Sequence, residues 1–298
     1  MRLAQLIHNP GAGDEAHGKK QLISLIKDSG FECRYSSTKK KMEKLLDEEV
    51  DFLIIAGGDG TIRKVTRELV TRKALDKSWP IGLLPLGTAN NIAKTLKLHG
   101  QHEDLIRAWH SEKIKTFDIG KIDGFDKAEF FLESFGFGIF PYLMKQMQKK
   151  GKEEIEDPEK KIQAALQLLH ESIFSYDAKY CKLKIDGTDH SGKYLLVEVM
   201  NTKSIGPNLF LAPKADPGDG LFNVVLIPEA DKEKFASYVM SRINNKEENY
   251  SFLEIKGKEI AASWDGTHVH VDDQVIKLKK NTEIDIELKH DLLRFLIE

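Results

Sequence analysis

The sequence contains little cysteine, little net charge and no long apolar run, and each shortage excludes a class of protein. Its two cysteines, Cys33 and Cys181, are too few for a disulfide framework or a cysteine-rich metal site. We therefore expect two unreactive thiols in a reducing compartment. The formal net charge of −2 provides no general attraction to nucleic acid or to an anionic membrane. No apolar stretch approaches the roughly 20 residues that cross a bilayer, and no signal peptide is expected.

The composition is typical of a globular protein, and the length of the chain allows two domains. Hydrophobic residues make up 41% and charged residues 31% of the 298 positions. A chain of this length forms two domains of ordinary size, each with its own core. The pattern of strands and helices changes near residue 116. We therefore expect one domain over residues 1–116 and a second over residues 117–298.

The first domain alternates short apolar runs with helical patterns. Strands are predicted at residues 3–8, 31–36, 50–56 and 81–84, and helices around residues 22–26, from Thr38 onward, around 62–70 and at 91–98. The third run, VDFLIIA, is continuously apolar after its aspartate, as expected of a strand buried on both faces. This alternation predicts a Rossmann-like three-layer α/β domain with a parallel sheet.

The second domain has longer strands with alternating polarity, joined by turn-rich segments. Strands are predicted at residues 129–136, 180–185, 194–200, 222–227, 253–262 and 283–288. Helical patterns interrupt them at residues 141–175, where Asp157-Pro158 is a typical helix start, and at residues 232–242. Such a succession predicts an antiparallel β-sandwich with helical insertions.

Glycine-rich loops follow three strands of the first domain. They are residues 9–13 (NPGAG), 57–61 (GGDGT) and 85–91 (PLGTANN). Glycine lets the backbone approach a ligand closely, and a helix that follows such a loop adds positive potential for phosphate. Because the carboxyl ends of parallel strands form the ligand crevice of an open α/β sheet, three such loops together predict a phosphate-binding edge.

These loops and a later segment resemble the diacylglycerol kinase catalytic-domain family, which is related to the sphingosine and ceramide kinases. GGDGT is also similar to the NAD kinases, so this loop indicates a superfamily. PLGTAN at residues 85–90 looks like the PxGTxN loop of the bacterial lipid-kinase branch, and residues 212–222 (APKADPGDGLF) are similar to the family's aPxAxxxDGxL stretch. The resemblance covers nearly the whole chain. It implies an α/β kinase domain, a β-sandwich, ATP as phosphoryl donor and a Mg²⁺ ion.

The resemblance also implies which residues bind the nucleotide. Backbone and hydroxyl groups are expected to contact its phosphates and ribose, at positions Asn9, Pro10, Gly11, Ala12, Gly13, Thr38, Gly57, Gly58, Asp59, Gly60, Thr61, Ile62, Arg63, Thr88 and Asn90. Asp59 cannot face a phosphate oxygen directly, because the two negative charges repel each other. It must act through magnesium, or order its loop by accepting backbone N–H groups, and both roles are left open.

A metal site is expected in the second domain. Asp216 and Asp219 offer the hard oxygen ligands that Mg²⁺ prefers, and the backbone carbonyl of Leu221 is the third expected ligand, as the resemblance implies. The alternative is a simple Asp/Pro/Gly turn before a strand.

The catalytic residue is the least complete part of the resemblance. The family places a DGE turn shortly before the C-terminus, and the matching residues here are 271–274 (VDDQ). Asp272 keeps the first acid, whereas Gln274 stands at the position of the family's acid and cannot accept a proton. An alternative register uses Asp265, which is followed by glycine but also lacks the glutamate. Asn91, where relatives usually have aspartate, is a second departure.

Two side-chain patterns in the second domain each allow two interpretations. His268, His270 and Asp272 alternate and so share one face of a strand, which indicates a zinc site or histidines on the rim of an active site. The helical pattern that begins near Phe140 and ends near Met147 is either core packing or an apolar wall for an acyl chain or a membrane surface.

The leading expectation is an ATP-dependent lipid kinase that transfers the γ-phosphoryl group to the hydroxyl of a diacylglycerol-like lipid. Two alternatives remain: another small-molecule kinase, above all one like the NAD kinases, and a nucleotide-binding regulator without catalysis, which Gln274 and Asn91 motivate. The expected partner is a lipid and not nucleic acid, and a homodimer is left open. The expected location is the cytoplasm, with peripheral contact at the inner membrane face as an option.

Overall fold

A computed structural model describes residues 1–12, 18–39, 46–71, 78–125, 129–149, 157–246, 250–280 and 282–298. The chain divides into two compact units, Met1–Phe117 with Asp291–Glu298, and Asp118–His290. Residues 291–298, which the sequence pattern had assigned to the second domain, lie in the first unit because Arg294 and Phe295 pair with its sheet. No helix in the described part of the chain is long and apolar enough to cross a membrane.

The first unit alternates strands and helices in the predicted order. Its elements are β1 (Leu3–His8), α1 (Lys19–Asp28), β2 (Glu32–Ser37), β3 (Phe52–Gly57), α2 (Asp59–Thr71), β4 (Pro80–Pro85), α3 (Asn91–Thr95) and α4 (His102–Ala108). The predicted helix after Thr38 falls on residues 40–45, which lie outside the described residues. The helix predicted at 91–98 ends at Thr95, and α4 was not predicted.

All strand pairs of the first unit that involve β1 to β4 are parallel. The order is β4-β3-β1-β2, and Arg294 and Phe295 add a further parallel segment beside β4. Every residue of β3 is buried, in agreement with the continuous apolar run in the sequence. Phe31, Phe52 and Trp109 contact one another in the core, which also includes Leu6 and Ile26. The fold of this unit is the predicted α/β architecture.

The second unit is built mainly of antiparallel strands. The unit boundaries fall within β5 (Ile114–Asp123) and β16 (Glu283–Leu296). The elements between these two strands are β6 (Glu129–Phe131), β7 (Ser134–Gly138), α5 (Ile139–Lys149), α6 (Pro158–Ser175), β8 (Lys179–Ile185), β9 (Thr188–Asp189), β10 (Gly192–Met200), β11 (Phe222–Pro228), α7 (Lys232–Ile243), β12 (Leu253–Gly257), β13 (Glu259–Trp264), β14 (His268–Val271) and β15 (Gln274–Lys277).

Strand pairing in this unit follows the order β15-β14-β7-β10-β8-β13-β16, and β10 also pairs with β11, which pairs with β12. One hydrophobic cluster includes Phe135, Phe137 and Trp264. Another packs the helices α5, α6 and α7 around residues such as Leu169 and Phe235. The unit is the β-sandwich-like domain with helical insertions that the sequence predicted.

Aspartates divide two of the predicted strands and start one helix. The strand predicted at 129–136 is split into β6 and β7, where backbone N–H groups turn toward Asp272. The strand predicted at 253–262 is split at Lys258, whose N–H donates to Asp186. Asp157 caps α6, because its Oδ1 accepts from the N–H of Glu159 at 2.9 Å. In each case the aspartate carboxylate accepts a backbone N–H that would otherwise donate to a backbone carbonyl in a strand or helix.

Candidate functional site

The glycine-rich loops of the first unit lie at one edge of its parallel sheet. His8 at the end of β1 is in register with Ala56 of β3, and Gly57 of β3 is in register with Pro85 of β4. The N–H of Thr38, after β2, donates to the carbonyl of His8. The residues that follow four neighbouring strands therefore meet at the carboxyl edge, as the parallel topology predicted.

Asn9 connects the first loop to the second. Its amide Nδ2 donates to Thr61 Oγ1 at 3.1 Å, and its Oδ1 accepts from the N–H of Gly11 at 3.2 Å. The backbone N–H of Asn9 donates to the carbonyl of Ala56. Asn9 is thus held from both sides and orders the first two loops. Gly13 lies outside the described residues.

The second and third loops touch through their glycines. A Cβ atom added to Gly58 would lie 2.8 Å from the Cα of Gly87, and one added to Gly87 would lie 2.5 Å from the Cα of Gly58. Asn90, in the left-handed conformation with φ 52°, accepts from the N–H of Gly87 and donates to its carbonyl. Loop packing therefore requires both glycines, whatever ligand the loops bind.

Asp59 caps the short helix α3. Its Oδ2 accepts from the N–H of Asn91 at 2.9 Å, and its Oδ1 accepts from the N–H of Ile92 at 3.1 Å. Of the two roles left open for Asp59, this geometry matches the ordering of a loop by accepting backbone N–H groups. Asn91 is buried beside this carboxylate. An aspartate at position 91 would place a second negative charge next to Asp59, whereas asparagine does not.

The other expected nucleotide residues differ in exposure. Thr88 is exposed at the loop after β4, whereas Thr61, Ile62 and Arg63 are buried in the first turns of α2. The side chain of Ile62 is apolar, and its N–H already donates to the carbonyl of Gly58 at 3.2 Å, so Ile62 has no donor directed at a phosphate. Lys64, which the sequence analysis missed, donates through Nζ to the carbonyl of Thr38 at 2.8 Å and brings a positive charge to the edge. Its position three residues after the GGDGT motif was the available signal.

The loop of the second unit that was expected to bind a metal is held mainly by its own backbone. Asp216 Oδ1 accepts from the N–H of Gly218, and Asp219 Oδ1 accepts from the N–H of Leu221, both at 3.0 Å. The other oxygen of Asp219 forms an ion pair with Lys256 Nζ at 2.8 Å. A cation at Asp219 would have to displace this lysine, so the residues as arranged fit an Asp/Gly turn better than a magnesium site.

A buried aspartate anchors this loop. Asp118 is fully buried, and its Oδ2 accepts from the N–H of Gly220 at 3.0 Å. Its Oδ1 lies 2.7 Å from Nδ1 of His290, and its backbone carbonyl accepts from the amide of Asn201. The sequence analysis missed Asp118. The signal was an aspartate between Phe117 and Ile119 in β5, where a buried charged side chain needs partners.

Asp272, the first choice for the catalytic acid, is turned toward the backbone. It is buried at the end of β14 with φ 52°, and its Oδ1 accepts from the N–H groups of Leu132 at 3.0 Å, Glu133 at 2.8 Å and Ser134 at 3.3 Å. These bonds stabilise the carboxylate and fix the connection between β6 and β7. A carboxylate with so many donors is poorly placed to take a proton from a substrate.

Gln274 and Asp265, the other two residues predicted for catalysis, do not form one site with Asp272. Gln274 is exposed at the start of β15 and pairs with Val271 across a two-residue turn. Asp265 is exposed in the turn before β14, whereas Asp272 follows β14, so the two acids lie at opposite ends of this four-residue strand. The two registers therefore describe two different places in the second unit, and only one of them can carry the reaction.

His270 belongs to a buried ion pair. Its Nε2 lies 2.7 Å from Glu198 Oε1, both side chains are 0% exposed, and its Nδ1 lies 3.0 Å from the carbonyl of Asp272. Burial alone would lower the pKa of His270, but the Glu198 carboxylate and its hydrogen bond outweigh burial and raise this pKa above its ordinary value. A buried histidine does not lie on an active-site rim, and that expectation was wrong for His270.

No zinc arrangement forms on this strand either. His268 is held by Lys145 and Thr267 instead, at 3.0 Å and 2.7 Å, and the side chain of Asp272 turns to the backbone. The partner of His270 was visible in the sequence as Glu198, a lone charge in the apolar strand 194–200, but the pairing itself was not. The helix α5 has residues that match each of its two interpretations: Phe140 and Leu143 are buried in the core, and Tyr142 and Met147 are exposed.

Sequence models of two known domain families match this chain. The sequence model of the diacylglycerol kinase catalytic domain matches residues 4–122. That of the YegS C-terminal NAD kinase beta sandwich-like domain matches residues 149–246. The first part of the chain thus matches the diacylglycerol kinase catalytic-domain family, as its glycine-rich loops predicted.

Individual relatives agree with this assignment. The diacylglycerol kinase of Bacillus subtilis (strain 168) is 28% identical over 248 residues, which are 79% of this chain and 77% of the relative. The crystal structure of a diacylglycerol kinase from Bacillus anthracis str. Sterne matches with a TM-score of 0.72 at 20% identity, and the match covers 100% of this chain and 97% of the other. At this identity the structural likeness supports the fold alone.

Proposed function

We propose that this protein is an ATP-dependent lipid kinase that transfers the γ-phosphoryl group of ATP to the hydroxyl of a diacylglycerol-like lipid. The observation that carries the proposal is the meeting of three glycine-rich loops at the carboxyl edge of the first unit's sheet, locked together by Asn9, Asp59 and the Gly58–Gly87 contact. The match of residues 4–122 to the diacylglycerol kinase catalytic domain supports it.

In this proposal the first unit binds the triphosphate. Backbone N–H groups of Gly58 and Gly60 donate to phosphate oxygens, and the N-terminus of α2 adds positive potential there. The exposed hydroxyl of Thr88 donates to a phosphate or ribose oxygen. Because both oxygens of Asp59 accept backbone N–H groups, its charge is directed at the helix and not at the nucleotide.

Magnesium enters the proposal as part of the ATP complex, where it neutralises charge on the phosphates. The Asp216–Asp219 turn is not assigned a bound ion, since Lys256 already neutralises Asp219. The turn instead donates the N–H of Gly220 to Asp118, and the other carboxylate oxygen of Asp118 contacts His290.

The acceptor side of the reaction depends on positioning more than on a strong base. Phosphoryl transfer has a loose transition state, so an aspartate that orients the hydroxyl is sufficient. Asp265 is the more accessible of the two predicted acids, because Asp272 is occupied by backbone donors. Turnover of Asp265→Asn and Asp272→Asn, measured beside their melting temperatures, separates the two registers.

A second candidate is a nucleotide-binding protein without catalysis. It is favoured by the combination of Gln274 at the position of the family's acid with the occupied carboxylate of Asp272. This protein would bind ATP through the same loops without transferring its phosphate.

The test is transfer of label from γ-labelled ATP to a mixed lipid extract or to NAD, with and without Mg²⁺. The proposal expects Mg²⁺-dependent label in a lipid. The Thr61→Val variant should lose this transfer, whereas the exposed control Thr188→Val should transfer label as the wild type does. Label in NAD would instead support an activity like that of the NAD kinases. Saturable ATP binding without transfer to any acceptor would support the regulator and refute the kinase.

A further inference from the structure

Three basic side chains lie together on the second unit, where α5 packs on β14 and β15. Nζ of Lys145 in α5 lies 3.0 Å from Nε2 of His268 in β14. His268 is opposite Lys277 in the antiparallel register of β14 and β15, so their side chains lie on the same face of this hairpin. Lys145 and His268 are half-buried, and Lys277 is exposed. We call these three residues the basic cluster.

Hydrogen bonds hold the imidazole of His268 in its neutral form. Its Nε2 accepts from the ammonium group of Lys145, and its Nδ1–H donates to Oγ1 of Thr267 at 2.7 Å. Burial lowers the pKa of His268, and the charges of Lys145 and Lys277 lower it further. The nearest partner of the Lys145 charge is therefore a neutral ring and not a carboxylate.

The carboxylates close to this hairpin are engaged elsewhere. Glu198 pairs with the buried His270, and Asp272 accepts backbone N–H groups at the far end of β14. Asp265 precedes β14 and lies beside β8, where its N–H donates to the carbonyl of Tyr180. The strand β7, which is the other neighbour of β14, carries no titratable side chain. None of these acids forms an ion pair with the basic cluster.

The charge of the basic cluster thus has no acidic partner in the described part of the chain. Neither Lys145 nor Lys277 forms an ion pair there. The other titratable side chains of α5, Tyr142 and Lys149, add no negative charge at neutral pH. Two ammonium groups beside one imidazole repel each other, and an anion placed among them is attracted by both. This arrangement is suited to binding an anion.

We propose that the basic cluster binds a phosphate group with two negative charges. A tetrahedral phosphate offers separate oxygens to the two ammonium groups and to the imidazole. When it binds, Nε2 of His268 takes up a proton from water and donates a hydrogen bond to a phosphate oxygen, and Lys145 moves its hydrogen bond from the ring to the anion. A carboxylate has one charge and two oxygens, so it would leave one of the three donors unpaired.

The same chemistry has two sources, a free phosphate ion and the headgroup of a phosphorylated lipid. A phosphomonoester carries about −1.5 to −2 charges at pH 7, which matches two lysines. The basic cluster consists of residues of the second unit, whereas the glycine-rich loops belong to the first. Its binding of phosphate requires no nucleotide, so this inference goes beyond the proposed function and does not rest on it.

The test follows the imidazole of His268 by NMR, without nucleotide, in sodium phosphate and in sodium chloride of equal ionic strength. His268→Gln identifies its resonance. Because a phosphate dianion favours the imidazolium form, the pKa of His268 should be higher in phosphate than in chloride. Half-saturation is expected on the order of 1 mM phosphate, as for a few charge-assisted hydrogen bonds at a half-exposed position. The proposal is overturned if the pKa is the same in both salts, a result that needs no variant.

Lysine variants test which side chains bind the anion. Lys145→Gln and Lys277→Gln should each weaken phosphate binding roughly tenfold, and the double variant should abolish it. The matched control is Lys182→Gln, which removes one exposed lysine from β8 and should bind phosphate as the wild type does. Melting curves check that the variants fold. Wild-type affinity in Lys145→Gln/Lys277→Gln would contradict the proposal.

Soluble lipids distinguish the two sources of phosphate. Dihexanoyl phosphatidic acid carries a phosphomonoester, and dihexanoyl phosphatidylcholine, which has no net charge, is the control. If the phosphatidic acid binds roughly tenfold or more tightly than inorganic phosphate, the basic cluster recognises a lipid headgroup, and equal affinities assign it to free phosphate. Equal binding of the two lipids would overturn the proposal, because the basic cluster would then not recognise the charge of the phosphate.

Discussion

The carboxyl edge of the first unit and the strand ends of the second unit are held in different ways. At the edge, neutral side chains and one aspartate bond to the backbone of adjacent loops, as Asn9, Asp59 and Asn90 do. In the second unit, buried carboxylates contact histidines: Glu198 lies against the buried His270, and Asp118 lies against the exposed His290. The first arrangement orders exposed loops, whereas the second stabilises the packing of the strands in the second unit.

This contrast predicts that substitutions in the second unit reduce stability, whereas exposed substitutions in the first reduce ligand binding. Breaking a buried charged pair leaves a charge without a partner, which costs several kcal/mol. Removing one exposed hydroxyl costs nothing in the free protein and only a hydrogen bond in the complex. The following predictions test the contrast, from the largest expected effect to the smallest.

The largest loss of stability is expected for Asp272→Ala. The change removes the acceptor of three buried backbone N–H groups and requires alanine at positive φ, so we expect the free energy of unfolding to fall by roughly 4 kcal/mol. Urea denaturation measures it. The control is the exposed neighbour Asp273→Ala, which should change stability little. A stable but inactive Asp272→Ala would mean that Asp272 acts in catalysis and not in the framework.

Glu198→Gln should cost roughly 3 kcal/mol, and the cost should depend on pH. Because the folded pKa of His270 is raised, the ion pair contributes fully below the histidine's unfolded pKa of about 6.5, and its contribution is lost as pH rises through the folded value. The difference in melting temperature between wild type and Glu198→Gln should therefore be largest near pH 6 and shrink toward pH 9. A difference that grows with pH would contradict the assignment.

Asp59→Asn separates the capping role from a role in binding metal. Asparagine keeps one acceptor and loses the charge at the start of α3, so stability should fall by about 1 kcal/mol. The Mg²⁺ dependence of ATP binding, measured by titration calorimetry, should stay as in the wild type. If stability is unchanged and the Mg²⁺ requirement rises, Asp59 binds the metal and the capping role is refuted.

The smallest effect is expected for Thr88→Ala. Thr88 is exposed, so the melting temperature without nucleotide should not change. If its hydroxyl donates to the nucleotide, the loss of about 1 kcal/mol weakens ATP binding roughly five-fold. Thr188→Ala on the surface of the second unit is the matched control. Equal ATP affinity in wild type and Thr88→Ala would remove Thr88 from the binding site.

The first unit could be predicted from the sequence because its topology follows from the order of strands and helices along the chain. Parallel β-α alternation brings the loops after β1, β3 and β4 to one edge, so loop residues such as Gly58 and Gly87 could be grouped without knowing any long-range contact. Asp59 could not be assigned, because its two roles use the same residue type. The N–H groups of Asn91 and Ile92 that decide between them come from another loop.

The second unit was predicted as a class of fold but not as a network. Glu198 and His270 are 72 positions apart, Leu132 and Asp272 are 140 apart, and Asp118 and His290 are 172 apart. An antiparallel sheet with helical insertions gives no local rule for which strands pair. Asp272 was therefore assigned to catalysis from its place in a motif, although its carboxylate is directed at the backbone.

The most direct test of the central claim is hydrogen exchange of the backbone N–H groups with and without Mg²⁺ and ATP. If the glycine-rich loops bind the phosphates, amides around Gly11, Gly58–Thr61 and Gly87–Thr88 should become protected when ATP is added, and the Asp216–Gly220 turn should not. Unchanged exchange in all three loops at saturating ATP would contradict the account, because the nucleotide would then bind elsewhere or not at all.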